Sequence, residues 1–133
     1  MSVLGTGIDI VETGRVRDSL EKFGDRFVNR CFLPGEIAYC RSMKFAELHF
    51  AARFAAKEAI SKAFGTGIGK QLGWRDMEIC RRDSGEPFVV LHGKAVELAR
   101  QRGVAEIFVS LSHCKDYAAA QAVIVGNSAG APE

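Results

Sequence analysis

The sequence lacks three features that would assign it quickly to a class of protein: a long apolar run, closely paired cysteines and a strong net charge. No hydrophobic stretch approaches the roughly 20 residues that cross a bilayer as a helix. The 4 cysteines stand at positions 31, 40, 80 and 114, which gives neither the paired spacing of a zinc site nor a disulfide framework. A formal net charge of +2 is too small to predict nucleic-acid binding. We therefore expect free, buried thiols, no membrane anchor and no nucleic-acid partner.

Proline is also scarce, and the first residues carry neither the basic segment nor the long apolar segment of a secretory signal. The chain has 133 residues, of which 47% are apolar and 26% charged, as in a single globular domain. We expect one cytoplasmic domain over residues 1–126 and a frayed tail over residues 127–133. A domain of this size buries roughly two-thirds of the surface of its unfolded chain, which leaves little room for a deep pocket within one subunit.

Hydrophobic periodicity predicts an α+β domain of order β-α-α-α-β-β-α-β-β, in which an antiparallel sheet packs on one long helix. The long helix is predicted over Ala46–Phe64, because this segment contains no glycine or proline and Gly65 then ends it. Residues 2–10 are rich in glycine and β-branched side chains, which predicts a strand approached closely by another backbone. The other helices are expected over 12–23, from 34 onward and over 93–103, and the other strands over 77–80, 88–91, 107–112 and 117–125.

Asp9 interrupts an otherwise apolar strand. An unpaired buried carboxylate is strongly disfavoured, so Asp9 must face solvent, pair with a cation or bind a metal. Glu58 and Lys62 are four residues apart on the long helix and therefore share one face. Their spacing fits either a functional pair or an ordinary exposed ion pair that contributes little stability.

A second face of the long helix carries His49, Arg53 and Lys57. Like charges repeated on successive turns repel unless an anion lies across them, although a solvated face is the alternative. The glycine-rich segment 65–69 either contacts a phosphate or only ends the helix, since it lacks the Lys-Ser/Thr ending of a P-loop. His113 lies at a predicted strand end, where binding residues are often placed but where a structural role is equally compatible.

Taken together, these residues favour an anionic ligand. Residues 41–70 hold six basic side chains against two acidic ones, which creates a local positive field. Two separated carboxylates, a lysine and a basic stripe together suggest magnesium holding a pyrophosphate, because magnesium commonly takes one or two protein carboxylates plus substrate phosphates.

Three blocks of sequence occur in a recognisable order. They are GIDIVE at residues 7–12, RFAAKEAISKAFGTG at residues 53–67, and SLSH at residues 110–113 with DYAA at residues 116–119. In order and spacing they closely resemble the holo-acyl-carrier-protein synthases, the small bacterial-type group of the 4′-phosphopantetheinyl transferase family. The resemblance extends from about residue 5 to residue 125.

The resemblance implies a reaction and the residues that carry it out. Members of this family transfer 4′-phosphopantetheine from coenzyme A to a serine of apo-acyl carrier protein, release adenosine 3′,5′-bisphosphate and support fatty acid biosynthesis. It implies that Asp9 and Glu58 bind Mg²⁺ and that Lys62 contacts phosphate and donates a proton to the leaving group. Glu58 would help to remove the serine proton, either directly or through a metal-bound water.

The resemblance also implies binding surfaces and an assembly. Coenzyme A would contact Arg53, Lys62, His113 and the segment Gly65, Thr66 and Gly67. Arg15 matches a basic position that meets the acidic carrier protein, and Arg26 adds to the basic surface of the same region. The fold would be that of the 4′-phosphopantetheinyl transferases, assembled as a homotrimer with its sites in the clefts between subunits.

Two other functions remain open from the residues. A non-enzymatic relative would bind coenzyme A or carrier protein without transfer, although it could have lost Asp9, Glu58 and Lys62, which are all present here. A cysteine/histidine metal or redox protein is the other alternative. The sequence does not indicate which carrier protein is preferred or whether acyl-coenzyme A analogues are accepted.

Overall fold

The computed structural model describes residues 1–127, in ten regular elements and one short 3-10 helix at Trp74–Asp76. The predicted tail therefore lies outside the described residues except for its first position. The strands are β1 (Ser2–Glu12), β2 (Met77–Arg81), β3 (Pro87–Leu91), β4 (Val104–His113) and β5 (Tyr117–Gly126). The helices are α1 (Thr13–Phe23), α2 (Asp25–Cys31), α3 (Pro34–Arg41), α4 (Ala46–Phe64) and α5 (Lys94–Gln101).

The strands form two antiparallel sheets. One has the order β1-β5-β4 and packs on α4, and the other is the β2-β3 hairpin. The core between the larger sheet and α4 is rich in alanine, which lets the layers approach closely. The α+β class and the packing of an antiparallel sheet on the long helix are thus confirmed. Within residues 1–127 no helix is both long enough and apolar enough to span a membrane.

Helix α4 begins and ends where the sequence predicts. Gly65 follows its last residue with φ of 77°, a left-handed conformation that favours glycine. The N–H of Gly65 donates to the carbonyl of Lys62 at 2.9 Å, and those of Thr66 and Gly67 donate to the carbonyl of Ser61, both at 3.2 Å. The end of the helix is therefore closed by its own backbone.

Strand β1 lies directly against the backbone of α4. A Cβ atom on Gly5 would lie 2.0 Å from the Ala63 carbonyl oxygen, and one on Gly7 would lie 1.9 Å from that of Ala59. Only glycine permits this approach, which confirms the prediction of a close backbone neighbour. Because alternate residues of a strand share one face, Asp9 points toward α4 as Gly5 and Gly7 do.

The predicted order omits α2 and is wrong there. Four helices, not three, precede β2. Helix α2 has 7 residues and buries only Val28 and Cys31, so its apolar positions are too few to define a helical period. Gly24, with φ of 52°, turns the chain between α1 and α2.

All four cysteines are free, but the expectation that all are buried is wrong for Cys114, which is exposed, and for Cys80, which is half-buried. Burial raises the pKa of Cys31 to about 11 and that of Cys40 to about 12. These two thiols are therefore protonated at neutral pH and serve as small core side chains.

A buried ion pair ties α4 to the neighbouring helices. Lys57 Nζ donates to Glu36 Oε1 at 2.7 Å, to the carbonyl of Cys31 at 2.7 Å and to that of Trp74 at 3.1 Å, and both charged side chains are fully buried. Glu36 also accepts from the N–H groups of Leu33 and Ile79, both at 2.9 Å. Burial lowers the pKa of Lys57, although Glu36 opposes this, and three acceptors around Nζ favour the ammonium form.

Candidate functional site

Asp9, Glu58 and Lys62 come together where β1 crosses α4. Lys62 Nζ donates to Asp9 Oδ1 and to the carbonyl of Ile8, both at 3.0 Å. Of the three possibilities for Asp9, pairing with a cation is the one observed. In the described part of the chain, Lys62 forms its ion pair with Asp9 and not with Glu58. The alternative of an ordinary ion pair between Glu58 and Lys62 on the helix face is therefore wrong.

The two carboxylates lie close enough to influence each other. Burial raises the pKa of Glu58, the negative charge of Asp9 raises it further, and Lys62 partly offsets both. Such repulsion is relieved when a cation lies between the two carboxylates. The strand carries one carboxylate and the helix the other, so their positions depend on the glycine contact described above.

The donor set fits a hard divalent cation. Residues 1–127 contain no group of three or more acidic, histidine or cysteine side chains able to hold a metal by themselves. Two carboxylates form an incomplete shell, which magnesium typically completes with water and substrate phosphate. Asp9 and Glu58 therefore suit Mg²⁺ bound together with a phosphate, and they do not form a closed protein cage.

The glycine segment after α4 has a structural role on its own. Gly65 and Gly67 both have positive φ, and a Cβ on either would meet no atom within 4 Å, so backbone conformation rather than crowding requires glycine there. The N–H groups of Gly65, Thr66 and Gly67 already donate to α4 carbonyls. The Thr66 hydroxyl also donates within the segment, to the carbonyl of Gly67 at 2.8 Å. Contacts of this segment with coenzyme A stay a prediction.

A second group of side chains converges at the N-terminal half of α4. We call it the His-Arg cluster; it consists of Tyr39, His49, Arg53, Arg81 and His113. The Arg53 guanidinium lies 4.3 Å from the centre of the Tyr39 ring and that of Arg81 lies 5.4 Å from it. The His49 ring is 5.0 Å from the His113 ring and 5.8 Å from the Tyr39 ring.

The cluster carries positive charge that no carboxylate neutralises. Arg53 is 2% exposed, and its Nε atom is buried without a hydrogen-bond partner. In residues 1–127, neither Arg53 nor Arg81 has a carboxylate oxygen within 4.0 Å of its nitrogen atoms. Buried donors without partners are rare, which makes this cluster a candidate anion site.

Sequence reasoning identified only part of this cluster. His49, Arg53 and Lys57 share a helix face, but Lys57 turns inward to Glu36 while the other two join Tyr39 and Arg81. At Lys57 the anion that lies across this helix face is therefore Glu36, a residue of the chain itself. Tyr39 and Arg81 lie on α3 and β2, and no local pattern in the sequence links them to α4.

The two arginines assigned to the carrier protein lie on the exposed surface of α1 and α2. Arg15 forms an ion pair with Glu12 at 3.0 Å, and the Arg26 guanidinium lies 5.7 Å from the ring centre of Phe23. Both are available to an external partner, and their role stays a prediction.

A family model described as the 4′-phosphopantetheinyl transferase superfamily matches residues 5–122. The chain belongs to this superfamily. All the site residues assigned from the sequence, from Asp9 to His113, lie within the matched range. The resemblance found in the three blocks of sequence is thus confirmed at the level of the family.

Relatives in this superfamily cover nearly the whole chain. A holo-[acyl-carrier-protein] synthase of Koribacter versatilis is 48% identical over 122 residues, which are 92% of this chain and 98% of the relative. The crystal structure of the Neisseria meningitidis synthase has a TM-score of 0.87 at 30% identity, over 93% of this chain and 99% of that one. The Helicobacter pylori synthase, solved in complex with coenzyme A, has a TM-score of 0.81 at 32% identity, over 90% and 99%.

Proposed function

We propose that this superfamily member is a holo-acyl-carrier-protein synthase that transfers 4′-phosphopantetheine from coenzyme A to a serine of apo-acyl carrier protein. Adenosine 3′,5′-bisphosphate is the second product, and the reaction supports fatty acid biosynthesis. The observation that carries the proposal is the meeting of Asp9, Glu58 and Lys62 where β1 crosses α4.

Each of the three side chains has a separate task. Asp9 and Glu58 hold Mg²⁺, which when bound offsets the charge of the coenzyme A pyrophosphate. Lys62 is half-exposed and can turn from Asp9 toward a phosphate oxygen, where a positive charge is most useful as negative charge develops. Glu58 is the carboxylate placed to accept the serine proton, directly or through a water held at the metal position.

The reaction is a displacement at phosphorus. The serine oxygen forms a bond to the β-phosphorus while the bond from that phosphorus to the bridging oxygen breaks. Glu58 accepts the serine proton, directly or through a water, and Lys62 protonates the departing phosphate. That phosphate becomes the 5′-phosphate of adenosine 3′,5′-bisphosphate.

The remainder of coenzyme A lies along α4 in this proposal. Arg53 precedes Glu58 by five residues, which is about 7.5 Å along a helix axis. Arg53 and His113 of the His-Arg cluster bind a phosphate of coenzyme A, which the positive charge of Arg53, without a carboxylate partner in residues 1–127, attracts. The exposed arginines Arg15 and Arg26 meet the acidic carrier protein and speed its encounter at low salt.

Mass spectrometry tests the transfer directly. Incubation of the protein with Mg²⁺, coenzyme A and an apo-acyl carrier protein is expected to add the mass of one phosphopantetheine group to the carrier. A carrier whose acceptor serine is replaced by alanine is the control and should gain nothing. No mass gain with several apo-carriers would overturn the proposal, and tight coenzyme A binding without transfer would favour the non-enzymatic binder.

We further propose assembly as a homotrimer with the sites in clefts between subunits, as the resemblance implies. The sheet face opposite α4 exposes large apolar side chains to solvent: Ile8 is 70%, Ile10 66% and Phe108 49% exposed. Several exposed large apolar side chains on one face are typical of subunit interfaces. A partner on this face would also enlarge the shallow site of a small domain.

Disrupting this face is expected to separate the subunits. Ile8→Glu should convert a trimer to a monomer in sedimentation velocity and lower transfer at least about tenfold at concentrations where the monomer prevails, because each site would lose its neighbour. Val96→Glu, at a 54% exposed apolar position on α5, is the matched control and should leave both properties unchanged. A fully active wild-type monomer would refute the assembly and leave the chemistry intact.

A further inference from the structure

The His-Arg cluster contains two imidazole rings that lie close together. His49 is half-buried on α4, and His113 is exposed at the end of β4, with ring centres 5.0 Å apart. At that distance positive charge on one ring repels positive charge on the other.

Charged groups face His49 from every element packed around it. On α4 these are Arg53 and Glu47, on β2 Arg81 and on β4 His113, while Tyr39 of α3 contacts the ring edge-on. The adjacent cavity, of about 420 Å³, is lined among others by Arg17, Glu47, His113 and Lys115. The positively charged groups around His49 therefore outnumber its one carboxylate neighbour, Glu47. Of these groups, only Glu47 favours protonation of His49.

Burial lowers the pKa of His49, and the positive charge of His113, Arg53 and Arg81 lowers it further, with Glu47 in opposition. Both effects favour the neutral imidazole in the free protein. The guanidinium groups of Arg53 and Arg81, which have no carboxylate partner in residues 1–127, favour a compact anion of high charge at the cluster. Coenzyme A carries one such group, a phosphate monoester, in addition to the pyrophosphate that the carboxylate site requires.

We propose that His49 takes up a proton when the His-Arg cluster binds the phosphate monoester of coenzyme A, so that coenzyme A affinity depends on pH through His49. The inference rests on the proposed function, because it takes coenzyme A to be the ligand. It adds a regulatory property that the transfer reaction itself does not require.

The direction of the pH effect follows from the charges. A dianion beside His49 favours its imidazolium form, so the complex holds more protons than the free protein between the His49 midpoint of the free protein and that of the complex. Affinity therefore rises as the pH falls through that interval, by at most about tenfold per pH unit for one proton. Near pH 6 the monoester itself begins to protonate, at about its second pKa, and the gain ends there.

Nuclear magnetic resonance can follow this titration directly, because the chain has only 3 histidines. At saturating Mg²⁺, coenzyme A is expected to raise the titration midpoint of His49 by about one pH unit, equivalent to a tenfold change in affinity. Dephospho-coenzyme A, which lacks the monoester, should produce a much smaller shift. His92 lies outside the cluster, paired with Glu78 at 2.8 Å, and its signal should not follow the ligand.

Calorimetry with variants provides an independent measure. In buffers of different ionisation enthalpy, the wild type should take up a fraction of a proton on binding coenzyme A near pH 7. His49→Gln cannot be protonated, and His49→Phe keeps a ring beside Tyr39 and His113; both should lose most of this uptake and show a flatter pH profile of affinity. His92→Gln is the control and should retain the uptake of the wild type.

The outcomes separate this inference from the transfer itself. Equal midpoints with and without coenzyme A, or equal shifts with coenzyme A and dephospho-coenzyme A, overturn the inference even if the carrier is modified. Wild-type proton uptake in both His49 variants overturns it as well. A shifted His49 midpoint without carrier modification supports the inference and refutes transfer, whereas absence of coenzyme A binding refutes both.

Discussion

Replacing Glu58 by glutamine or Asp9 by asparagine should lower phosphopantetheine transfer by about 10²–10⁴-fold, equivalent to about 3–5 kcal/mol of lost transition-state stabilisation. Each change keeps the shape of the side chain and removes one of the two negative charges that attract Mg²⁺. Glu58→Gln also removes the proton acceptor. The measurement is the initial rate of carrier modification as a function of Mg²⁺ concentration.

The Mg²⁺ dependence distinguishes binding from chemistry. Asp9→Asn weakens the ion pair with Lys62 as well as the metal site, so added Mg²⁺ should restore only part of its activity. Glu97→Gln, an exposed carboxylate on α5 paired with Arg100, is the matched control and should transfer normally. Thermal melting curves must confirm that all variants fold. Normal turnover by either site variant at limiting Mg²⁺ would refute the metal assignment.

Lys57→Met should destabilise the fold by about 3–5 kcal/mol, because it leaves the Glu36 carboxylate buried without its cation. Glu36 would keep two N–H donors, from Leu33 and Ile79, but these cannot balance a full negative charge. The loss should appear as a lower midpoint of urea unfolding. This loss would be a large fraction of the total stability, because a domain of this size has a free energy of unfolding of only about 5–15 kcal/mol.

A double-mutant cycle isolates the pair. Lys57→Met with Glu36→Gln should lose much less stability than the sum of the two single changes, because neither charge is then left alone. Arg41→Met removes the cation of the exposed pair with Asp25 and should change stability by less than about 1 kcal/mol. If Lys57→Met unfolded at the same urea concentration as the wild type, the buried pair would not stabilise the fold.

The sequence predicts local features well and long-range partners poorly. The bounds of α4 follow from an uninterrupted helical segment and a glycine in a left-handed conformation, both of which act within a few residues. The position of Asp9 follows from alternation in a glycine-rich strand. Both depend on periodicities that are visible along the chain.

What the sequence left open depends on residues that are distant in the chain. Lys57 has the same spacing from Arg53 as Arg53 has from His49. It nevertheless turns inward, because it pairs with Glu36, which lies 21 residues away on another helix. Tyr39 and Arg81 join His49 from two further elements, and no periodicity connects them. Helix α2 was not predicted, because its 7 residues bury too few apolar side chains to show a helical period in the sequence.

The glycine contact between β1 and α4 also bears on how this enzyme can change over time. At Gly5 and Gly7 the strand meets α4 through backbone atoms, so no side-chain volume separates Asp9 from the helix that carries Glu58. Elsewhere in the core, substitutions that alter volume shift neighbouring layers. Here the spacing of the two carboxylates does not depend on side-chain volume, because it is set by Gly5 and Gly7. The apolar interior can therefore diversify around the proposed metal-binding geometry.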